Sequence, residues 1–146
     1  MKRFSFPLDR VLEFRRQIQE LESGKLQALA AQRGRLLDRA GEIHQQARFI
    51  RAESVSCRTA FAGELQHAHE YVQALGRARE TALAQADSVE RQRKQQMTVV
   101  IEARRNTRLL ELLRAKRLRR HAAMAAREQE ALAGELFLAA RAKKKL

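Results

Sequence analysis

Apolar side chains recur at spacings of three and four residues along most of the chain, the period that places them on one face of an α-helix. A first run comprises Val11, Phe14, Ile18 and Leu21. The pattern then slips by one residue, which should alter the local supercoil. It resumes every seven residues at Leu29, Leu36, Ile43 and Ile50, with Arg33, Ala40 and Ala47 between them. Such a heptad seam predicts a long helix that needs a partner helix.

The second half of the chain carries a matching seam. Its members are Leu75, Ala82, Ala86, Val89, Val100, Ala103, Thr107 and Leu110, interrupted by Arg93 and Gln96. Reflection of the chain about residue 60 brings the two seams opposite each other as far as Leu110. The predicted fold is therefore all-α, a long antiparallel two-helix coiled-coil hairpin in which the second helix is longer than the first.

Helix boundaries follow from the residues that favour or disfavour helical backbone. Pro7 and Asp9 suit a first helical turn, so the first helix is predicted at about residues 8–55. Residues 53–63 mix serine, threonine, β-branched residues and a glycine, all weak helix formers, which predicts a turn at about 56–64. The second helix should then span about 65–141, before a basic tail at 142–146. The whole chain, residues 1–146, is predicted to form a single coiled-coil domain.

A further apolar stripe lies beyond the point where the first helix ends. This tail stripe comprises Leu118, Ala122, Ala125, Leu132, Leu136 and Ala139. No residues of the first helix remain to cover it. An apolar stripe on an unpaired helix is a candidate binding face.

The net charge of +13 is concentrated near the same end. Residues 104–146 contain 13 basic and 4 acidic side chains. A surface of this kind suits an acidic protein, a nucleic acid or an anionic membrane. Because no nucleic-acid recognition motif and no interleaved aromatic residues are present, a nucleic-acid partner is disfavoured.

Motifs of enzymes and cofactor sites are absent from the sequence. Cys57 is the only cysteine, which excludes an internal disulfide and fits a reducing compartment. No phosphate-binding loop occurs, and His67 and His69 are two residues apart, on different faces of a helix. A two-helix fold also has no enclosed site for a reaction. We therefore expect no catalytic residues, no metal and no cofactor, and hence no enzyme.

We also expect no secretory leader and no membrane span, since no apolar run reaches about 18 residues. The predicted location is cytoplasmic, peripheral on the cytoplasmic side of the inner membrane through partner proteins.

The opening of the chain resembles that of flagellar export proteins of the FliJ type. The resemblance is carried by the residues Phe4, Phe6, Leu8, Val11, Leu12 and Arg15. Length, basic charge and the helical hairpin pattern agree with the family over essentially the whole chain. The resemblance implies an antiparallel coiled coil similar to the central stalk of rotary ATPases. It further implies binding to the ring of the flagellar export ATPase, promotion of ring assembly, contact with the membrane export gate, and handling of export chaperones.

Two sets of contact residues are expected on this basis. The gate-contacting stripe of the family corresponds to Tyr71, Leu75, Ala78 and Ala82, although Leu75 and Ala82 also belong to the second seam. The ATPase-ring contact is predicted to involve Arg114, Arg117, Leu118, Arg120 and Leu132. Near the C-terminus the family often has an Asp-Glu pair, where this chain has Gly134-Glu135.

Three alternatives stay open. The chain could be the equivalent stalk of a virulence type III secretion system, which would share the fold and mechanism. It could be a nucleic-acid-binding coiled coil, which a steep salt dependence of binding would reveal. It could also be a scaffold that forms homodimers through the tail stripe.

Overall fold

A computed structural model describes residues 3–56 and 61–143. Two helices account for nearly all of this part: α1 (Asp9–Ser56, 48 residues) and α2 (Ala62–Lys143, 82 residues). The helices pack against each other, and the described residues contain no strand. The predicted all-α helical hairpin with a longer second helix is confirmed.

The first helix begins almost where the sequence predicts, with Asp9 in its first turn. The second helix begins at Ala62, so the prediction that the turn extends to residue 64 was wrong. The Phe61 amide donates to the Glu64 carboxylate at 3.3 Å, one half of a capping box that allows the helix to start at this point. Cys57, part of the predicted turn, lies outside the described residues.

The contacts divide the chain, which was predicted as one domain, into two compact units. One unit, Glu20–Ile101, contains the facing parts of both helices on either side of the connection. We call it the hairpin unit. The other, the terminal unit, joins Met1–Gln19 to Glu102–Leu146.

Small side chains dominate the core of the hairpin unit. The buried members are Ala40, Ala47, Val72, Ala82, Ala86, Val89 and Val100. Half-buried leucines and isoleucines of α1 alternate with them, at Leu26, Leu29, Leu36, Ile43 and Ile50. Both seams that the sequence predicts for this part of the chain are therefore confirmed. Alanine buries little apolar area, so each layer contributes less than a leucine layer would.

Two polar layers interrupt this core and cross between the helices. The Gln96 side-chain amide donates to the carboxylate and to the backbone carbonyl of Glu22. Arg33 Nε lies 3.2 Å from Glu90 Oε2, and Arg93 donates twice to the same carboxylate, at 2.8 and 2.9 Å. Because Gln96 and Glu90 of α2 each have a matching partner on α1, in Glu22 and Arg33, these layers favour a single register.

Two of these carboxylates have lowered pKa values. For Glu22 the main causes are the hydrogen bonds from Lys25 and then from Gln96. For Glu90 the hydrogen bond from Arg93 contributes most, and the charge of Arg33 adds to it. Both carboxylates therefore stay ionised to a lower pH than a free glutamate.

The start of α1 differs from its prediction. Val11, Phe14 and Leu21 are 42%, 59% and 58% exposed, whereas Leu12 is only 3% exposed. From Leu12 the spacing of three and four runs through the exposed Arg15 and the half-buried Gln19 and Glu22 to Leu26, and Ile18 of the predicted run is half-buried beside it. The predicted one-residue slip was therefore wrong. It arose because Arg15, Gln19 and Glu22 occupy seam positions that an apolar pattern does not reveal.

Candidate functional site

The N-terminal segment, residues 3–8, lies along α2 in the terminal unit. Phe6 is 3% exposed, and the Arg117 guanidinium carbon lies 5.6 Å from the centre of its ring, within range of a cation–π contact. The ring of Phe4 meets that of His121 edge-on, with centres 5.5 Å apart. The opening residues that carry the family resemblance thus hold the start of the chain against α2.

Polar contacts between α1 and α2 continue in this unit. Asp9 Oδ1 accepts from Arg114 Nε at 3.0 Å, and Glu111 Oε1 accepts from Arg16 Nη2 at 2.9 Å. The buried Thr107 hydroxyl lies within hydrogen-bonding distance of the backbone carbonyls of Arg15 and Ala103. The Arg16 hydrogen bond is the main cause of the lowered pKa of Glu111.

Beyond His121 the side chains of α2 are largely uncovered. Every side chain from residue 126 to residue 142 is exposed. The three leucines of the tail stripe, Leu118, Leu132 and Leu136, are 45%, 59% and 71% exposed. We call residues 122–142 the C-terminal stretch. Its exposed apolar face agrees with the prediction that α1 leaves this stripe uncovered.

The predicted ATPase-ring residues therefore fall into two groups. Arg114 and Arg117 contact Asp9 and Phe6, so they have a structural task within the chain. Leu118, Arg120 and Leu132 are exposed. Arg119, which the sequence-based prediction left out, is exposed beside Arg120. Its signal in the sequence was the run of basic residues at 114–120.

The predicted gate-contacting residues lie in the hairpin unit and do not share one exposed face. Ala82 is 5% exposed and Leu75 is half-buried, because both belong to the seam against α1. Tyr71 is 47% exposed and accepts a hydrogen bond from Gln46 at 3.0 Å, and Ala78 is exposed. Only Tyr71 and Ala78 present surface that a partner could reach.

An open groove of about 520 Å³ lies near the connection between the helices. Arg51, Ser54 and Val55 of α1 line one side, and residues of α2, among them Leu65, His69 and Val72, line the other. The sequence-based prediction missed this groove because it assigned Leu65 to the very start of the second helix. The apolar residues Val55 and Leu65 on either side of the weak helix formers were the available signal.

Within residues 3–56 and 61–143 no group of three or more histidine, cysteine or acidic side chains is arranged to hold a metal ion. None of the helices described has a stretch long and apolar enough to cross a membrane. In the part of the chain that the structure describes, the side-chain contacts include hydrogen-bonded ion pairs, a cation–π contact and an edge-on ring contact, and apolar and basic faces are exposed.

Comparison with known proteins adds no relative. No family model matches the chain, and no curated protein or solved structure is significantly similar to it.

Proposed function

We propose that this chain is a non-enzymatic component of the bacterial flagellar protein export apparatus. In this role it binds the ring of the export ATPase as a stalk-like coiled coil and promotes assembly and activity of the ring. It also couples the ring to the membrane export gate and to export chaperones. The location that follows is cytoplasmic, at the inner membrane through these partners.

One observation carries the proposal. The opening residues that resemble the FliJ type pack onto α2 at Arg117 and His121, and α2 then continues as an exposed helix. Next to that junction, residues 114–120 contain five basic side chains and no acidic one. We call residues 114–120 the cationic collar. An exposed helix end that carries this collar can enter a ring lined with acidic or polar loops. Since exposed ion pairs contribute only about 0–1 kcal/mol each, such contacts would guide insertion without locking it.

The ring contact is best placed on the residues that have no internal task. Arg119 and Arg120 make no ion pair within the described residues, and Leu118 and Leu132 are exposed. Arg114 and Arg117 belong to the same collar, but their substitution would also disturb the N-terminal segment. For the gate, Tyr71 and Ala78 are the accessible members of the predicted set.

The test is the ATP hydrolysis rate of the purified flagellar export ATPase from the same source, measured with increasing amounts of this chain. We expect a saturable stimulation at substoichiometric ratio to ATPase subunits. The double variant Arg119→Glu/Arg120→Glu should lose most of this stimulation and keep its helix content. The gate contact is tested in parallel by co-purification with the cytoplasmic part of the export gate, using Tyr71→Ala.

The matched control is Arg77→Glu/Arg91→Glu, which reverses two exposed arginines of α2 in the hairpin unit. It should stimulate like the wild type. Absence of stimulation together with absence of co-sedimentation would reject the proposal. Equal losses in both double variants would reject the assignment of the contact to residues 119 and 120.

A further inference from the structure

The tail stripe does not continue the seam of α2. The seam runs through Thr107, Leu110 and Arg114 to Arg117 and His121, where the N-terminal segment covers it. The same spacing would next reach Met124, Glu128, Ala131 and Glu135, a row in which acidic side chains alternate with apolar ones. The stripe begins instead one residue later, at Leu118, and one residue corresponds to about 100° around an α-helix. The stripe is therefore a separate face of the helix with a heptad pattern of its own.

The pattern on this face is complementary to itself. Its heptad positions are Leu118, Ala122, Ala125, Gln129, Leu132 and Leu136. We propose that a second copy of this chain covers the face, with the two helices antiparallel and the pair centred on residue 127. Leu118 then meets Leu136 of the second copy, Ala122 meets its Leu132, and Ala125 meets its Gln129. The outer layer pairs two leucines, whereas the two inner layers each pair an alanine with a larger side chain, as interdigitating coiled-coil cores require.

Neighbouring registers fit less well. A shift of the pairing by one heptad in either direction would place Leu118 opposite Gln129 or opposite Lys143 of the second copy. Both alternatives bury a polar or charged side chain against leucine and break the Leu118–Leu136 layer. The pattern therefore favours this one antiparallel register over neighbouring registers of the same two helices.

The charges favour the same orientation. Residues 114–120 contain five basic side chains and no acidic one, whereas residues 128–135 contain three acidic side chains and no basic one. With the pair centred on residue 127, residues 128–135 lie opposite residues 119–126 of the second copy, so the acidic stretch of each copy overlaps the basic stretch of the other at Arg119 and Arg120. A parallel pair would place each stretch beside its own copy, which raises like-charge repulsion. The charges thus favour an antiparallel over a parallel arrangement of two copies.

One repulsive contact is built into this arrangement and gives a sharp test. Glu128 flanks the stripe, and near the twofold axis it faces Glu128 of the second copy. The variant Glu128→Gln removes this like-charge pair, so we expect a dimer about threefold tighter. Misfolding would not tighten the dimer. A gain in affinity is therefore stronger evidence for this contact than a loss of affinity in another variant.

The first measurement is sedimentation equilibrium of the full chain at increasing protein concentration, without any ATPase. We expect a monomer–dimer equilibrium. The variant Leu132→Asp should weaken the dimer at least tenfold, because it places a charge in an apolar layer. The control Phe137→Asp replaces an exposed residue outside the stripe and should leave the dimer nearly unchanged.

Cross-linking tests the orientation. In a Cys57→Ser background, a cysteine at position 126 lies about 3 Å along the axis from its counterpart, whereas one at position 122 lies about 15 Å away, at about 1.5 Å per residue. A short bifunctional maleimide should therefore link Ala126→Cys and not Ala122→Cys. Linkage of Ala122→Cys would show a parallel dimer, in which identical residues lie level with each other, and would overturn the proposal. A chain that stays monomeric at all concentrations, or a dimer unaffected by Leu132→Asp, would overturn it as well.

This inference goes beyond the proposed function and can fail independently of it. The dimer is measured without the ATPase, and the stimulation of the ATPase does not require a dimer. If both hold, the dimer and the ring complex compete, because Leu118 and Leu132 belong to both contacts. If a strictly monomeric chain stimulated the ATPase, the proposed function would stand. Only the proposal that a second copy covers the tail stripe would be rejected.

Discussion

Two stretches of α2 carry similar side chains and meet different surroundings. Between Val100 and Leu110 every third or fourth residue is buried or half-buried against α1, with Val100 at 0% and Thr107 at 4% exposure. In the C-terminal stretch the same spacing returns, yet Leu132 is 59% and Leu136 71% exposed. The heptad pattern is equally regular in both stretches. The pattern predicts an apolar face on each stretch of the helix. It does not predict which part of the chain, or which other molecule, covers that face.

The difference corresponds to how far the described residues before α1 extend along α2. The helix α1 begins at Asp9, and residues 3–8 extend the cover along α2 as far as His121. Past this point, every residue of α2 from 126 to 142 is exposed. The exposed leucines are therefore a consequence of unequal helix lengths, and they are available for a partner.

The largest expected effect comes from a charge placed in the covered face. Val100→Asp buries a carboxylate among apolar side chains, so we expect a loss of about 3 kcal/mol in the free energy of unfolding. Val99→Asp changes the neighbouring residue, which is 43% exposed, and should cost less than about 1 kcal/mol. Urea unfolding followed by circular dichroism measures both. Equal losses would contradict the assignment of the seam.

A smaller effect is expected where the N-terminal segment meets α2. Phe6→Ala removes a ring that is 3% exposed and the contact of that ring with Arg117. We expect a loss of about 2 kcal/mol, with faster hydrogen exchange in residues 3–12 and 114–121. Phe137→Ala, at a position that is 66% exposed, should leave both stability and exchange unchanged. Unchanged exchange in Phe6→Ala would show that the segment does not depend on this ring.

Much of this architecture could be predicted from the sequence. Both helices, the seams of the hairpin unit and the uncovered tail stripe follow from periodicity, because spacings of three and four residues, kept over many turns, match the period of an α-helix with one apolar face. The start of α1 near Pro7 and Asp9 follows from the preferences of a first helical turn.

Other features could not be predicted because they depend on contacts rather than on spacing. At the start of α1 the sequence favoured Val11, Phe14 and Leu21, since they are more apolar than Arg15, Gln19 and Glu22. The buried face is instead fixed by Leu12 and by the Thr107 hydroxyl near the Arg15 carbonyl. In the candidate site, too, residue spacing does not reveal which side chains make contacts within the chain. Nothing in the spacing of Arg114 and Arg117 separates them from Arg120, yet the first two hold Asp9 and Phe6.

The smallest expected effect concerns the ion pairs, which also distinguish the covered stretch from the uncovered one. Among the described residues all ion pairs lie between Asp9 and Arg114, and none involves the C-terminal stretch. The pKa values of Glu22, Glu90 and Glu111 are each lowered from 4.5 by hydrogen bonds, from Lys25, Arg93 and Arg16 respectively. A carboxylate with a lowered pKa in the folded state stabilises the fold fully above its ordinary value. This stabilisation is lost as the pH falls through the lowered value.

We therefore expect the melting temperature to fall as the pH drops below 4.5. Glu90→Gln removes the contacts to Arg33 and Arg93, so it should lower the melting temperature at neutral pH, by less than Phe6→Ala does. It should also make the acid-induced decrease shallower. Glu130→Gln, in the C-terminal stretch, should leave the neutral-pH melting temperature unchanged. If Glu90→Gln melted like the wild type at every pH, the polar layers would serve to select the register and would add nothing measurable to stability.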